Sequence, residues 1–405
     1  MRRPLAEIVV ISWNGRDDTI AALDSLSRQL TSETRVTVVD NGSSDGTAES
    51  VLGRFPSIRL LRLHRNRGFT GGIAAAADAS DAKYLIFLNN DATVEPHWLE
   101  ATIGAIESAP SDVVALSGKI VDPTGSRIDF VEGAMTFDGH AFQRGFRKSL
   151  GEIEEPQSGA ELLFACGGNM IVNRESFLEL GGFDPDYFAY LEDVDFGWRA
   201  WLSGWRVLYN PAAVVRHKSA ATSDRLGSFE RGVLFERNAL QTAVKNYDDE
   251  VFSEVAGPLF LTLLHRLHRY VMDRNRDIDA FTRPALGEMP VAETANHESL
   301  SRRLRRKAAR RLLGHHGGAV IDDPLTAMQF RAVEWFFRNE SRIMEKRRGV
   351  QSRRRRSDRE IFERFPIHYI PTYPGDETLM SSSLFRLLRP KLRSTDLKLE
   401  DMIQM

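Results

Sequence analysis

One cysteine in 405 residues, Cys166, leaves the chain without an intramolecular disulfide and fits a reducing compartment. No apolar run approaches the ~20 residues of a membrane-spanning helix. Met1-Arg2-Arg3 leads into a strand-like run, Ile8–Ser12, with no apolar h-region or cleavage site of a signal peptide. Two nucleotide fingerprints are missing as well: no G-x-G-x-x-G follows the first strand, and no G-x-x-x-x-G-K-[ST] occurs. That argues against a dinucleotide oxidoreductase and a P-loop NTPase. The length permits a large core and more than one domain, since single cores stop growing at about 250–300 residues.

Net charge is also scarce, at −2, but the balance is local rather than general. Residues 301–360 hold 18 Lys and Arg against 7 Asp and Glu, a net of +11, and residues 361–405 balance at 6 against 6. The first 300 residues therefore carry −13. A basic segment is joined to an acidic body, and the two meet different partners.

What is present is organised around residues 83–96, Lys-Tyr-Leu-Ile-Phe-Leu-Asn-Asn-Asp-Ala-Thr-Val-Glu-Pro. Tyr84–Leu88 has the length of a strand and no polar alternation, the pattern of a parallel strand buried on both faces. It stops at Asn89-Asn90-Asp91, and the carboxyl ends of such strands are where open α/β sheets hold ligands. Asp91 is thus a candidate metal or phosphate-site residue; its alternative use is to begin a turn and cap a helix over Pro96–Ile106. Upstream, Glu7–Ser12 reads as a strand, Trp13–Asp17 as a turn, and Ile20, Leu23, Leu26 and Leu30 as one face of a helix. Thr34–Asp40 is a second strand that ends on a carboxylate, able to accept hydrogen bonds from a base or ribose or else to hold the turn before Gly42. Ile58–Leu63 is a third, leading through Asn66-Arg67-Gly68-Phe69-Thr70-Gly71-Gly72 into an Ala-rich helix, Ile73–Ala79. Strand and helix alternating at this rhythm predict right-handed βαβ units in a doubly wound sheet.

Val113–Ile120 is a further strand, whereas Asp122–Glu155 reads only as short strands and loops. Order returns at Cys166–Val172, a helix over Arg174–Leu180, and Gly181-Gly182-Phe183-Asp184-Pro185. A helix then runs to Gly204 with Leu191, Val194, Trp198, Trp201 and Trp205 as a core stripe. Its start carries Glu192, Asp193 and Asp195. Acids complement a helix dipole there, but crowded carboxylates also raise one another's pKa, as a general base requires. A strand at Val207–Tyr209 precedes Pro211 and His217, which sits just before a polar loop.

In this order, the stretches Ile8–Gly15, Val38–Gly46, Asn66–Gly72, Phe87–Pro96, Gly167–Arg174, Gly181–Asp184, Glu192–Arg199 and His217–Thr222 resemble the family-2 inverting glycosyltransferases of the GT-A fold. The likeness is to the bacterial rhamnosyltransferase and galactofuranosyltransferase branch, over most of residues 5–225. The resemblance implies a Rossmann-like, mostly parallel sheet flanked by helices. It implies that Asp40 binds a uracil or thymine edge, with Ser12 and Asn14 near base and ribose and Asn66, Gly71, Asn90 and Glu192 as further substrate contacts. Asp91 and His217 would hold Mn²⁺ or Mg²⁺, which neutralises a departing diphosphate. The first Asp of the family's Asp-x-Asp element is here Asn89. Asp193 matches the catalytic base, which must reach the acceptor hydroxyl as it attacks the anomeric carbon. No QxxRW element or membrane span of a processive synthase follows Trp205. The implied activity is transfer of one or a few sugars, from dTDP-rhamnose or a UDP-hexose, to a saccharide or polyprenyl-linked glycolipid in cell-surface polysaccharide assembly.

The remaining chain predicts a helical extension over 226–300 and a basic helical or extended region over 301–405, after a catalytic domain at 1–225. Phe252, Val255, Leu259, Leu263 and Leu267 predict a helix face that packs on the catalytic domain or lies on a bilayer. Basic clusters at Arg302–Lys307 with Arg310-Arg311, and at Lys346–Arg348 with Arg353–Arg356, fit either a solvated helix face or an anionic lipid surface, placing the enzyme in the cytoplasm or at the inner face of the plasma membrane. No reader motif or interleaved aromatics support nucleic acid. Oligomeric state is left open, and the last stretch, with Pro366, Pro371 and Pro374, is expected to be extended. Two other functions fit the residues less well: a silent nucleotide-sugar-binding protein, favoured by Asn89, and a nucleotidyltransferase, which would need a Gly-rich start with a basic finger.

Overall fold

The computed structural model describes residues 3–219, 228–272, 324–373 and 375–398, together with Met402. Its N-terminal part alternates as expected: β1 (Ala6–Ser12), α1 (Arg16–Ser27), β2 (Thr34–Asp40), α2 (Thr47–Arg54), β3 (Arg59–Arg62), α3 (Gly68–Ala79) and β4 (Tyr84–Asn89). Then come β5 (Ala92–Val94), α4 (Trp98–Ser108), β6 (Val113–Val121), β7 (Ile128–Phe130), β8 (Gly133–Met135), β9 (Ala141–Gln143), β10 (Asn169–Asn173), α5 (Arg174–Glu179), α6 (Glu192–Leu202) and β11 (Arg206–His217). The C-terminal part is mainly helical, with α7 (Ser228–Asn246), α8 (Asp249–Met272), α9 (Pro324–Arg338), α10 (Glu340–Ser352) and α11 (Asp358–Arg364). It closes with β12 (Ile367–Tyr369), α12 (Asp376–Met380), α13 (Ser383–Leu388) and β13 (Ser394–Asp396).

The main sheet has nine strands in the order β3-β2-β1-β4-β10-β6-β11-β5, with β7 on β6. Its first four strands pair in parallel. β10 then enters antiparallel between β4 and β6, and β5 runs antiparallel to β11, so the sheet is mixed while most strands share one direction. Tyr84 to Leu88 are all buried, which is why that stretch shows no alternation: helices cover both faces. The insertion of β10 matters for function, because it brings the start of that strand, Gly167-Gly168, to the carboxyl edge of β4.

One apolar core runs from the sheet into the C-terminal helices, taking in Ala239, Ala243, Tyr247, Val251, Val255, Leu259, Phe362 and Tyr369. The expected boundaries at 225 and 300 fall outside the described residues. α8 packs against the body, but through Val251, Val255, Leu259, Thr262 and Arg266; Phe252, Leu263 and Leu267 flank that face half-buried. The buried face is turned from the expected stripe toward Thr262 and Arg266, because Arg266 finds the carboxylates of Asp138 and Asp376 in the interior. α1 ends at Ser27, short of Leu30, which is 37% exposed. The last stretch is not simply extended, since it forms a small parallel pair, β12 with β13, and two short helices.

Much of the basic cluster Lys346–Arg356 is built into the fold. Arg356 donates to the carbonyls of Gly204 and Trp205 at 3.0 and 2.9 Å just past α6. Arg347 donates to Val244 and Tyr247 and Arg354 to Asn246, which closes α7. Cations on the last carbonyls of a helix satisfy acceptors that have no partner within the helix. Lys346 pairs with Asp184 and Asp186 at 2.5 and 2.6 Å. Arg347, Arg354, Arg356 and Lys346 are thus tied into the protein, whereas Arg348, Arg353 and Arg355 stay exposed; the cluster at 302–311 lies outside the described residues.

Candidate active site

A cleft of about 620 Å³ opens at the carboxyl edge of β1, β2 and β4, within the range of small-molecule sites. Strand ends and the start of α6 supply most of its polar groups. β4 ends at Asn89, and the chain turns through Asn90 and Asp91 into β5, whose register with β11 sets Ala92 opposite His217. That pairing joins residues 126 positions apart: His217 Nε2 lies 3.0 Å from Asp91 Oδ1 and 3.1 Å from the Asn89 amide.

The sequence reading missed the residue that orients this pair. Asp129, from β7, accepts from His217 Nδ1 at 2.8 Å and from the Ser219 hydroxyl, and its other oxygen accepts from Gln143 at 3.1 Å. It lies within the loosely patterned 122–155 region. The available signal was an acid between two apolar residues, Ile128-Asp129-Phe130, in a stretch short enough to be a strand; a buried carboxylate there needs partners. Burial disfavours charge on His217, but Asp129 and Asp91 outweigh it and keep the imidazole protonated up to about 10. Burial would likewise raise Asp91, and His217 overrides it, leaving that carboxyl below its ordinary value.

The second acidic pair enters from α6. Before it, Phe188, Tyr190 and Leu191 take left-handed backbone conformations, with φ of 63°, 70° and 63°, each costing about 1–3 kcal/mol for a non-glycine residue. This turn aims Glu192 and Asp193 into the cleft, while Asp195 points inward to Arg199 and Lys245, both at 2.8 Å. The three acids that crowd the sequence thus have different duties. Asp193 accepts from the backbone N–H groups of Gly167 at 3.1 Å and Val194 at 2.8 Å. Burial nevertheless raises its pKa. Burial, and then the Asp193 charge, push Glu192 well above the carboxylate range, and its Oε2 has no hydrogen-bond partner among the described residues.

Gly167-Gly168 separates the two acidic groups by one dipeptide. A Cβ at Gly168 would come within 2.8 Å of the Asn89 amide, so a side chain here would push into the Asp91–His217 group. Burial also drives the neighbouring Cys166 thiol well upward, which leaves it protonated and no nucleophile.

Of the residues expected at the site, Asp91, His217, Asp193, Glu192, Asn90 and Asn66 line this cleft. Four do not. Ser12 is fully buried with its hydroxyl 2.7 Å from that of Thr19, so it braces the β1–α1 turn. Asn14, at φ 51°, accepts from the Ser44 N–H at 2.8 Å and ties two turns together. Gly71 sits inside α3, where a Cβ would collide with the Arg67 side chain. Asp40 lies beside the cleft, with Oδ1 accepting from Ser43 N–H at 3.0 Å and Oδ2 3.7 Å from Arg62. The walls near it come instead from Trp13 and Asn41, which the sequence reading passed over.

Asp91 and His217 offer one carboxylate and one imidazole, and the Asn89 amide stands beside them. Among the described residues no group of three or more His, Cys, Asp or Glu side chains is arranged to hold a metal ion. The donor chemistry fits a divalent cation that completes its shell with phosphate oxygens and water, as Mg²⁺ and Mn²⁺ do. The Asp129–His217 contact is the outer-shell carboxylate that metal-binding histidines ordinarily keep.

Residues 7–181 match the family described as Glycosyl transferase family 2. The chain is 28% identical over 242 residues to an N-acetylglucosaminyl-diphospho-decaprenol L-rhamnosyltransferase of Mycobacterium tuberculosis, covering 54% of this chain and 77% of the relative. It is 28% identical over 225 residues to the O-antigen biosynthesis protein RfbC of Myxococcus xanthus, covering 53% of this chain and 17% of the relative. Among solved structures, a mannosyltransferase from Pyrobaculum calidifontis in complex with GDP-Man and Mn²⁺ is similar at a TM-score of 0.44 and 16% identity, over 84% of this chain and 88% of that one.

Proposed function

Since residues 7–181 match Glycosyl transferase family 2, we propose that the chain transfers a sugar from a nucleotide-diphosphate donor to an acceptor hydroxyl with inversion, in cell-surface polysaccharide or glycolipid assembly. The observation that carries this is the meeting of Asp91–His217 and Glu192–Asp193 in one cleft, one dipeptide apart. The first pair suits a diphosphate and the second an attacking hydroxyl.

The donor lies with its base toward Trp13 and Asn41, while Asp40 behind them holds the turn through Ser43. Its diphosphate reaches Asp91 and His217, which would hold Mn²⁺ or Mg²⁺, and such a cation neutralises the charge that grows on the departing diphosphate. His217 must give up its proton to serve as a ligand, and Asp129 keeps Nδ1 occupied so that Nε2 is the atom presented. On the acceptor side, Asp193 takes the proton of the attacking hydroxyl. Of the two acids it is the one fitted to be ionised, because its oxygens accept from the backbone N–H groups of Gly167 and Val194, whereas Glu192 has only its own backbone N–H against burial and the Asp193 charge and retains the proton the pair shares. The far wall is aromatic, with Phe130, Phe142, Phe146 and Phe164, and it excludes water that would otherwise compete with the acceptor. The family resemblance makes dTDP-rhamnose or a UDP-hexose the donor to try first, and the mycobacterial rhamnosyltransferase makes a polyprenyl-diphosphate-linked sugar the acceptor to try.

The decisive experiment incubates the full chain with dTDP-rhamnose or UDP-hexoses, Mn²⁺ and a lipid-linked acceptor analogue. Nucleoside diphosphate release coupled to a glycosylated product, stopped by excess chelator, is the expected result. A donor that raises the melting temperature but is neither transferred nor slowly hydrolysed would favour the silent binding protein that Asn89 permits. The metal contact has its own check: Asp129→Ala should weaken Mn²⁺ binding, followed by electron paramagnetic resonance, by about 10–100-fold. Unchanged affinity would remove Asp129 from this role.

A further inference from the structure

Three carbonyl oxygens of the turn that launches α6, those of Tyr187, Ala189 and Tyr190, lie 3.0, 2.8 and 2.8 Å from a single amide nitrogen, Nδ2 of Asn238 on α7. This is the turn whose backbone is left-handed at three non-glycine residues. Conformations of that kind last only where their surroundings over-determine them, and carbonyls turned away from water need donors. Asn238 is fully buried and its own oxygen accepts from Gln241 at 3.0 Å, so the amide is fixed in the orientation that donates to the turn. Next to it Arg237 donates to the Asp186 carbonyl at 3.0 Å. On the opposite side the Phe188 carbonyl accepts from Thr70 N–H at 3.2 Å, at the start of α3, where Gly68 leaves no side chain in its way. The turn is thus held between the start of α3 and α7.

We infer that Asn238 is a positioning residue for sugar transfer: by donating to these three carbonyls it holds residues 187–191 in the strained form that aims Glu192 and Asp193 into the cleft. The base of the site is then oriented by a helix beyond the 7–181 stretch that matches the family. A plain packing role would be met by any buried side chain of similar size; here the two N–H groups of one nitrogen are shared among three carbonyls. The kinetic part of this inference rests on the sugar-transfer reading, and the structural part does not.

The test uses the full chain with Asn238→Asp, which keeps the shape and removes the donors, and Asn238→Ala. Ala243→Gly, which loosens the same helix but leaves the Asn238 amide and its carbonyl contacts in place, is the control. Hydrogen exchange over 185–195 is measured beside kcat, donor KM and the pH profile. Both Asn238 variants should exchange faster over 185–191 and lose about tenfold or more in kcat, with donor KM within about twofold. The acid limb of kcat should move down toward the ordinary carboxylate range as the loosened turn admits water to Asp193. Ala243→Gly should keep both kcat and that limb, whatever it loses in melting temperature. Wild-type kcat in the Asn238 variants would overturn the inference, as would a loss in all three that follows melting temperature alone. If the wild-type protein transfers no sugar, the proposed function fails. The exchange comparison then still decides the clamp, upheld by faster exchange over 185–191 and overturned by none.

Discussion

Replacing Asp193 by Asn is expected to lower the rate of sugar transfer by about 100-fold or more while donor affinity stays within about threefold. The substitution keeps the side chain's size and leaves an oxygen for the Gly167 or Val194 N–H, so a loss reports the missing base rather than a collapsed turn. The pH profile sharpens the test. Burial raises the Asp193 pKa, so the base is protonated and idle in acid, and kcat should climb with pH along a limb placed above the ordinary carboxylate range. In the Asn variant that limb should vanish and the residual rate run flat. Glu192→Gln, which replaces the acid that burial and the Asp193 charge push well above the carboxylate range, should cost far less than Asp193→Asn. The reverse ranking would hand the role of base to Glu192, and near-normal turnover by Asp193→Asn would leave the cleft without one.

Much of this site was legible because strand ends announce themselves. The fully apolar run Tyr84–Leu88 broken by Asn89-Asn90-Asp91, and Val36–Val39 broken by Asp40, mark where buried strands stop and polar groups begin, and that break needs no knowledge of the partner strands. What the chain order concealed was pairing. β10 inserts antiparallel between β4 and β6, and nothing local in Asn169–Asn173 states its direction. Asp129 was missed because a three-residue strand carries too few positions for a period, and Asn238 because a polar residue in an amphipathic helix looks solvated until a carbonyl-rich turn is packed against it. Arg347, Arg354 and Arg356 look solvated for the same reason. Charge read along a sequence says nothing of the helix ends it will meet, and here those ends, the carbonyls closing α6 and α7, took up the cations that seemed free for a membrane.

The second large effect is expected far from the chemistry, at Arg266. It is 2% exposed and lies 3.1 Å from Asp138 and 2.9 Å from Asp376, with Glu236 at 3.8 Å and its guanidinium over the Tyr373 ring. His140 stands between Asp138 and Glu236, at 3.1 and 3.0 Å. The cluster ties the loop before β9 to α7, α8 and α12, and β9 itself lines the cleft. Removing one partner from a buried charge group leaves the others uncompensated, at a cost of about 3–5 kcal/mol. Arg266→Met would set three buried carboxylates against one imidazole and should lower the melting temperature by several degrees, with Arg266→Lys intermediate because it keeps charge but loses the paired donors. The pH dependence follows from His140, whose burial disfavours charge but whose two carboxylate neighbours raise it to about 9. A raised histidine stabilises fully below its unfolded value of about 6.5. That contribution then fades as pH climbs to about 9. Asp138 and Glu236 are held below their ordinary values and lose their contribution in acid. The wild-type protein should therefore melt highest between these limits. In Arg266→Met the optimum should slide toward acid, where protonation relieves the three carboxylates. A melting curve unchanged in height and in pH optimum would show that the cluster is neutralised by some other group, and that the C-terminal helices are held to the cleft by their apolar contacts alone.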